Sequence, residues 1–502
     1  MNLLQTLKQK KRILGTLRNK LKITYYQAVI QLKPTLPEPH FQLGKFLAER
    51  KDYPAAIACY EKAITHKHPE PWKVYYCLGN TLKKSRRFEL AISAYQNSVA
   101  INPEFFSAYQ EMAESFLQMS QWDMVIKSCK NAIKVDPNIF WVHYYLGKAL
   151  LRKKNWEEAI QAFQQAIAID PCYYYTYQFL SEAYQSTGQH EEDAKAWKYG
   201  IKHNPKVSEF YRGLGDVLTQ QNQIPEAIAA YRQASQMLIQ VSHPHIKTSS
   251  QNITTLTPPN FIIIGITKGG TTSLYSYLTK HPQILPAIRK EINFWINRQG
   301  SFDRGLDWYC SHFPQISPDQ TWITGEATPF YLFYSKASER LAQVFPQTKL
   351  ILLLRNPIDR AVSHYYMNVA QAREDRSLET ALISELDFLK THPETDWVNS
   401  QIGRRYLIWG LYLKFIQEWL EWFPREQFLI LKSEDLFKDP NTNVNQIFEF
   451  LGVKPYKLPS YPIENKGYYA PVSESLSQDL SVFFKPHNQA LEQFLGQKFN
   501  WD

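Results

Sequence analysis

The stretch FIIIGITKGGTTSLYSYLTKHPQI, residues 261–284, holds the residues best suited to gripping an anion. Its four leading apolar residues predict a buried strand, and Gly265 to Gly270 a glycine-containing turn. Thr271 or Thr272 then caps a helix whose Leu274, Tyr277 and Leu278 share one face. Strand, turn and helix start together form an anion cradle, because unpaired N–H groups and the positive end of the helix dipole converge there. Gly269 and Gly270 let the backbone close on a ligand, and Lys268 adds a mobile positive charge. The rival is a nucleotide-triphosphate loop, GxxxxGK[ST]. Counted from Gly265, that pattern reaches Gly270 but then meets Thr271 where it needs lysine. A bare strand–helix turn is a weak reading for a lysine, two glycines and three hydroxyls together.

A second constellation, KLILLLRNPIDRAVSHYYM over residues 349–367, begins with the apolar strand Leu350–Leu354. A metal-dependent NTPase would end that strand in aspartate. Here Arg355 stands at its tip, Pro357 stops it, and a helix carrying Ser363 follows. A guanidinium with a hydroxyl nearby suits a phosphate monoester. Taken alone, Arg355 also fits a structural ion pair. Two anion sites on one sheet point to a nucleotide phosphorylated at two ends.

The elements that must position these residues occupy a chain of 502 residues, 44% hydrophobic and 21% charged, a composition that excludes wholesale disorder. No run of 18 apolar residues reads as a membrane span, and Lys8, Lys10, Lys11 and Arg12 interrupt any secretory core near the start. The five scattered cysteines form no CxxC, so zinc and disulfide scaffolds are poor readings; a reducing, cytoplasmic setting is expected. The net charge of +10 is confined to residues 1–240, where 31 basic residues face 21 acidic ones. Bulk basicity therefore gives the second half no nucleic-acid signal. Residues 1–24 read as a basic, amphipathic N-terminal helix, favoured as a solvated cap, with peripheral membrane contact as the other reading.

Between that helix and residue 240 the chain repeats itself. Small residues fall at Gly44, Gly79, Ala113, Gly147, Ser181 and Gly215, and prolines at Pro34, Pro69, Pro103, Pro137, Pro171 and Pro205, in steps of 35, 34, 34, 34 and 34. Large residues such as Tyr60, Tyr95, Phe163 and Tyr231 are placed to plug the gap beside each small one. This pattern resembles the tetratricopeptide repeat, six units plus a partial one over 25–240, enough for a self-supporting all-α superhelix. The resemblance implies a groove for a protein or peptide partner. The aromatic patch Tyr144, Tyr145, Tyr173, Tyr174, Tyr175 and Tyr177 is expected to serve mainly inter-helix packing. Residues 241–259, rich in Ser, Thr, Asn and Pro, read as a linker, so a fragment beginning near Asn252 is expected to fold alone.

The remaining residues, 260–502, carry GxxKGGTTSL and LRNPxxRxxSxY, and these resemble the 3′-phosphoadenosine-5′-phosphosulfate (PAPS)-dependent sulfotransferases, in particular the heparan sulfate and related carbohydrate branch. KEINFW at 290–295, GEATPFY at 325–331, NKGYY at 465–469 and the ending PHNQALEQFLGQKFNWD support the likeness. It implies a P-loop-like α/β domain with a central parallel sheet, PAPS as donor, adenosine 3′,5′-bisphosphate as product, no metal, and a carbohydrate or polysaccharide acceptor. By the same likeness Lys268 contacts the 5′-phosphate and bridging oxygen, and Gly269, Gly270, Thr271, Thr272 and Ser273 hold the phosphosulfate. Arg355 and Ser363 clamp the 3′-phosphate, Lys466 and Gly467 form the adenosine-side loop, and Glu291 is the catalytic base. An ion pair of Glu291 with Lys290 or Arg289 is the structural alternative. His364, beside Ser363, reads as structural or phosphate-adjacent. Asn293, Ala327 and Tyr468 depart from the family's His, Lys and Arg. A P-loop kinase and a scaffold with an inactive enzyme domain are the competing readings.

Overall fold

The periodic half of the chain folds as helix pairs. The computed structural model describes residues 21–246, 257–297, 300–316, 321–371, 373–392, 405–465, 467, 469 and 472–501. The pairs are Pro37–Glu49 with Tyr53–Thr65, Pro71–Lys84 with Phe88–Ile101, Phe106–Gln118 with Trp122–Val135, Phe140–Arg152 with Trp156–Ile169, and Tyr174–Thr187 with His190–His203. The expected basic helix over 1–24 lies outside the described residues except for 21–24, which open a helix running to residue 32. The small–aromatic pairing is direct: a Cβ built on Gly44 would lie 2.7 Å from the Tyr60 ring, on Gly79 2.5 Å from Tyr95, and on Gly147 2.6 Å from Phe163. Of the tyrosine patch, Tyr144, Tyr145 and Tyr177 are buried and Tyr175 is exposed.

Each pair turns through a left-handed residue: Lys51 (φ 66°), Arg86 (62°), Ser120 (56°), Lys154 (63°) and Gly188 (72°). These recur in the same steps as the prolines. After that residue the chain closes back on the first helix. Lys154 N–H donates to Leu151 O and Asn155 N–H to Leu150 O, both at 3.0 Å, which satisfies carbonyls that the helix end would otherwise leave open.

The chain divides into two compact units, one ending at Pro205 and the other spanning Lys206–Asp502. The last helix pair, Ser208–Gln220 with Ile224–Ser242, carries the repeat signature, since a Cβ on Gly215 would meet Tyr231 at 2.5 Å. Sequence periodicity groups this pair with the repeats, but its packing lies in the second unit. Leu218, Ala227, Ala230 and Tyr231 join the core built around Trp308, Tyr309 and Phe313. A fragment beginning near Asn252 would uncover that face. Across the expected linker, of which 247–256 lie outside the described residues, Ile239 and Ile246 pack against Leu285.

The second unit is organised by five parallel strands, β1 (Phe261–Gly265), β2 (Ile284–Pro286), β3 (Ile323–Ala327), β4 (Lys349–Leu354) and β5 (Phe428–Lys432), in the order β2-β3-β1-β4-β5. Ile262 stands opposite Leu350, and Leu352 opposite Ile430. Both sheet faces are covered, as parallel strands require. Ile262, Ile264, Leu350, Leu352 and Leu354 face one core with Trp295 and Trp419, while Phe261, Ile263, Ile351 and Leu353 face another with Leu274 and Phe448. The chain leaves β1 toward β2 and β3 and returns to lay β4 on its other side. That reversal opens a crevice at the carboxyl ends of the strands, where open α/β sheets bind ligands. Among the described residues no helix is long and apolar enough to cross a membrane.

Candidate functional site

The turn after β1 is the part of the crevice most tightly fixed. Gly269 admits no side chain, because a Cβ there would sit 2.6 Å from the carbonyl oxygen of Leu353 on β4. Ser433, just beyond β5, donates to Gly269 O at 2.7 Å. Gly270, at φ 95°, is the N-cap of the helix Thr271–Leu278, a left-handed conformation that favours glycine. Thr271 and Ser273 are buried and Thr272 is half-buried. The Ser273 hydroxyl accepts from Glu464 N at 2.9 Å, tying the chain just before Asn465 to this helix.

Lys268 occupies a left-handed backbone position, φ 67°. Burial, then the Arg355 and Lys290 charges, pulls its ammonium below the usual lysine range, with Glu291 opposing the shift. Arg355, at the tip of β4, donates from Nη1 to Lys268 O at 3.1 Å, and Tyr412 holds the Arg355 carbonyl at 2.7 Å. The two basic residues singled out by sequence on separate strands are therefore joined. Like charges held close in a half-buried crevice favour an anion between them.

The next turn explains why RNP follows β4. Asn356 Oδ1 accepts from Ile358 N at 2.9 Å and Asp359 N at 3.3 Å, so it caps the helix Pro357–Ala370 with proline in its first turn. Asn356 N–H in turn donates to Glu434 at 2.8 Å. On that helix Ser363 is buried, with its hydroxyl 3.1 Å from the Tyr469 hydroxyl. Tyr469 stacks on Tyr366, ring centroids 4.9 Å apart. The structure thus brings Ser363 to the NKGYY segment, where Gly467 is exposed; Lys466 lies outside the described residues. His364 is buried against Trp409, rings 5.0 Å apart and 15° from parallel, on the structural side of its two readings.

Glu291 stands on the segment that follows β2. Its side chain is 41% exposed and its Oε1 accepts from Lys290 Nζ at 2.5 Å, so the ion pair expected as the alternative is formed while the carboxylate keeps an open side. Its backbone, φ 67°, is held by Glu291 N–H donating to Ala327 O at 3.1 Å, and by Asn293 Nδ2 donating to the Glu291 carbonyl at 2.7 Å. The rare conformation is set by the end of β3.

Sequence reasoning passed over Glu326 within GEATPFY. It is fully buried, and accepts from Tyr309 at 2.7 Å, Thr328 at 2.6 Å and Tyr331 at 3.1 Å. Ile292 N–H also bonds it, and burial pushes its carboxyl above the usual range. Glu326 therefore braces the segment bearing Glu291. A hydroxyl two residues on and another five residues on were the available signal. Arg289 was also undervalued, since it is paired with Asp216 of the last helix pair rather than with Glu291.

Both halves of the chain match known proteins. The sulfotransferase domain family matches residues 258–462, and tetratricopeptide repeat families match 37–65, 73–105, 140–171 and 180–237. The membrane-associated sulfotransferase kil1 of Dictyostelium discoideum is 27% identical over 315 residues, 48% of this chain and 66% of that protein, just under two thirds of its length. Mouse heparan sulfate glucosamine 3-O-sulfotransferase 6 is 30% identical over 269 residues, 49% of this chain and 74% of that protein. The crystal structure of a sulfotransferase from Alicyclobacillus acidocaldarius is 30% identical, with a TM-score of 0.41, over 49% of this chain and 99% of that one.

Proposed function

The chain belongs to the sulfotransferase family, and we propose that, with PAPS as donor, it transfers a sulfuryl group to a hydroxyl or amine of a carbohydrate or polysaccharide. The observation that carries this reading is the junction of Lys268 and Arg355 at the strand tips, beside Lys290 and Glu291. A donor with a phosphosulfate at one end and a 3′-phosphate at the other matches a cationic crevice that runs from the β1 turn to Ser363. Gly269, packed without room for a side chain against Leu353 O, closes the turn onto β4, so that the N–H groups opening the next helix face the phosphosulfate. Gly270, Thr271 and Thr272 continue that cradle into the helix. Ser273 anchors the adenosine-side segment through Glu464, and Gly467 with Lys466 belongs to that segment.

In the transfer, the acceptor oxygen or nitrogen forms a bond to sulfur as the bond from sulfur to the bridging oxygen breaks. The electron pair of the broken bond stays on the 5′-phosphate of adenosine 3′,5′-bisphosphate. Lys268 stabilises that oxygen as it gains charge, an interaction stronger in the transition state than in the ground state. Glu291 takes the proton lost by the acceptor, and Lys290 holds its carboxylate in place. Arg355 and Ser363 fix the far end of the nucleotide and so align the reacting groups. No metal takes part in this step.

The repeat units, by the same reading, recruit a protein or peptide partner or the acceptor. Carbohydrate as the acceptor class rests on the likeness to the mouse heparan sulfate glucosamine 3-O-sulfotransferase. A cytoplasmic setting rests on the five scattered cysteines, and peripheral membrane contact on the basic residues 1–22. The test is transfer of labelled sulfate from PAPS to a panel of polysaccharides, peptides and small alcohols. Label on a polysaccharide supports the reading. Label on peptides or alcohols alone redirects the acceptor, and binding of ATP in preference to adenosine 3′,5′-bisphosphate overturns the donor.

A further inference from the structure

The segment bearing Lys290 and Glu291 is anchored almost residue by residue. Ala287 N–H donates to the Tyr275 hydroxyl at 2.9 Å, and Ile288 N–H donates to His312 O at 2.9 Å. Glu291 N–H is held by Ala327 O, and Ile292 N–H by Glu326. The side chain at the centre of this run, Arg289, is anchored by a different part of the sequence. Its Nη2 donates to Asp216 Oδ1, and its guanidinium lies 5.9 Å from the Tyr231 ring centroid. Tyr231 in turn donates its hydroxyl to Asp216 at 2.7 Å. Both acceptor and ring come from the last helix pair, whose sequence is that of a tetratricopeptide unit.

The contact is built from several groups. Trp308 Nε1 donates to Thr219 Oγ1 at 2.9 Å, and the Tyr231 and His312 rings lie 4.3 Å apart. His312 is the residue whose carbonyl holds Ile288, so both ends of the contact reach the same segment. Asp216 occupies the repeat position filled by Asn80, Glu114, Lys148 and Glu182 in earlier units, and Thr219 that of Lys83, Leu117, Leu151 and Gln185. In the last unit these two positions serve the sheet domain. Pairing Arg289 with Asp216 also withdraws that guanidinium from Glu291, leaving the carboxylate to Lys290.

We propose that the helix pair Ser208–Ser242 is a positioning element of the transfer site, in which Asp216 and Tyr231 hold Arg289 and thereby set the Lys290–Glu291 turn. This deepens the reading above, since it rests on Glu291 as the base. Small errors in the placement of a reacting group cost large factors in rate, so this pair acts on turnover without touching donor or acceptor.

The experiment uses the full chain and its Asp216→Asn, Asp216→Glu and Tyr231→Phe variants. Amide hydrogen exchange of residues 287–293 needs no acceptor. Calorimetry reports affinity for adenosine 3′,5′-bisphosphate, and turnover is read as label transfer from PAPS to heparan sulfate. Asp216→Asn is expected to speed exchange in 287–293, leave nucleotide affinity within about twofold, and lower kcat by about tenfold. Asp216→Glu restores most of the loss. Tyr231→Phe, which keeps the ring, shows the same local pattern to a smaller extent and serves if the Asp216→Asn chain does not fold. Unchanged exchange in 287–293, or equal loss of protection throughout the domain, overturns the proposal. If the unaltered chain binds the nucleotide but transfers nothing to heparan sulfate, the acceptor reading has failed and exchange alone decides the positioning role.

Discussion

In the repeat units Gly147 meets Phe163 of the partner helix, and Lys153 pairs with Asp123 only 30 residues earlier. In the sheet unit Ser433 reaches Gly269 across 164 residues, and Glu464 reaches Ser273 across 191. The first kind of contact makes stability a sum of similar local terms, which damage removes piecemeal. The second makes the candidate site a closure of distant segments, so that damage at one segment is felt at the others. The last helix pair has the sequence of the first kind and the contacts of the second.

The largest expected effects test the closure. Lys268→Ala and Glu291→Gln should both suppress turnover, the Glu291 change by about 10²–10⁴ as is usual for a positioned base. They separate in binding. Lys268→Ala should weaken adenosine 3′,5′-bisphosphate by ~1–3 kcal/mol, and Glu291→Gln should leave it nearly unchanged, both by calorimetry. Near-normal turnover of Glu291→Gln would move the base elsewhere.

Truncation sharpens the comparison. A chain beginning at Lys206 is expected to fold and bind the nucleotide. One beginning at Asn252 removes Asp216 and exposes the core face that Leu218, Ala227 and Tyr231 cover, so it is expected to be less stable by about 1.5–3 kcal/mol for each large apolar side chain whose burial is lost. Urea unfolding of the two fragments measures the difference, and equal midpoints would show the last helix pair to be dispensable.

Within the array the effects should stay local. Gly147→Leu forces a side chain into the Phe163 ring and should destabilise the helical unit by ~1–3 kcal/mol, with nucleotide affinity unaltered. A matching loss of affinity would break the distinction between the two regions. Glu326 gives a pH signature. Its carboxyl is raised from 4.5 by burial, so the stability it contributes is complete below about pH 4.5 and is lost as pH rises through its higher native value. Glu326→Gln should flatten that part of the stability–pH curve. The smallest effect is Lys154→Gly, which relieves a left-handed lysine (φ 63°) and should stabilise by about 0.5–1 kcal/mol.

What the sequence disclosed follows the same division. Repeat spacing, the glycine–aromatic pairs, the β1 turn and the β4 tip were legible because each depends on residues close in the chain. The left-handed turn residues of the repeats escaped notice, since Lys, Arg and Ser occupy positions where glycine would have been the signal. Glu326 escaped because a carboxylate in a strand gains meaning only when Tyr309 and Tyr331 are known to reach it. The boundary near 240 followed periodicity, which marks where a motif ends and is silent on which core buries it. Asp216 and Thr219 bear no mark in the repeat pattern of their later service to Arg289 and Trp308.

The position of the boundary between the units, after Pro205, has a consequence for recombination. Repeat units can be duplicated, lost or exchanged between genes without rebuilding a core, since each packs mainly on its neighbours. A crossover in the Ser/Thr-rich stretch after residue 242 would strand Arg289 and Trp308 on a foreign surface. One at Pro205 carries the last helix pair along with the sheet. That seam is the place to graft a different series of units while keeping the sheet and the helix pair that braces it in one piece.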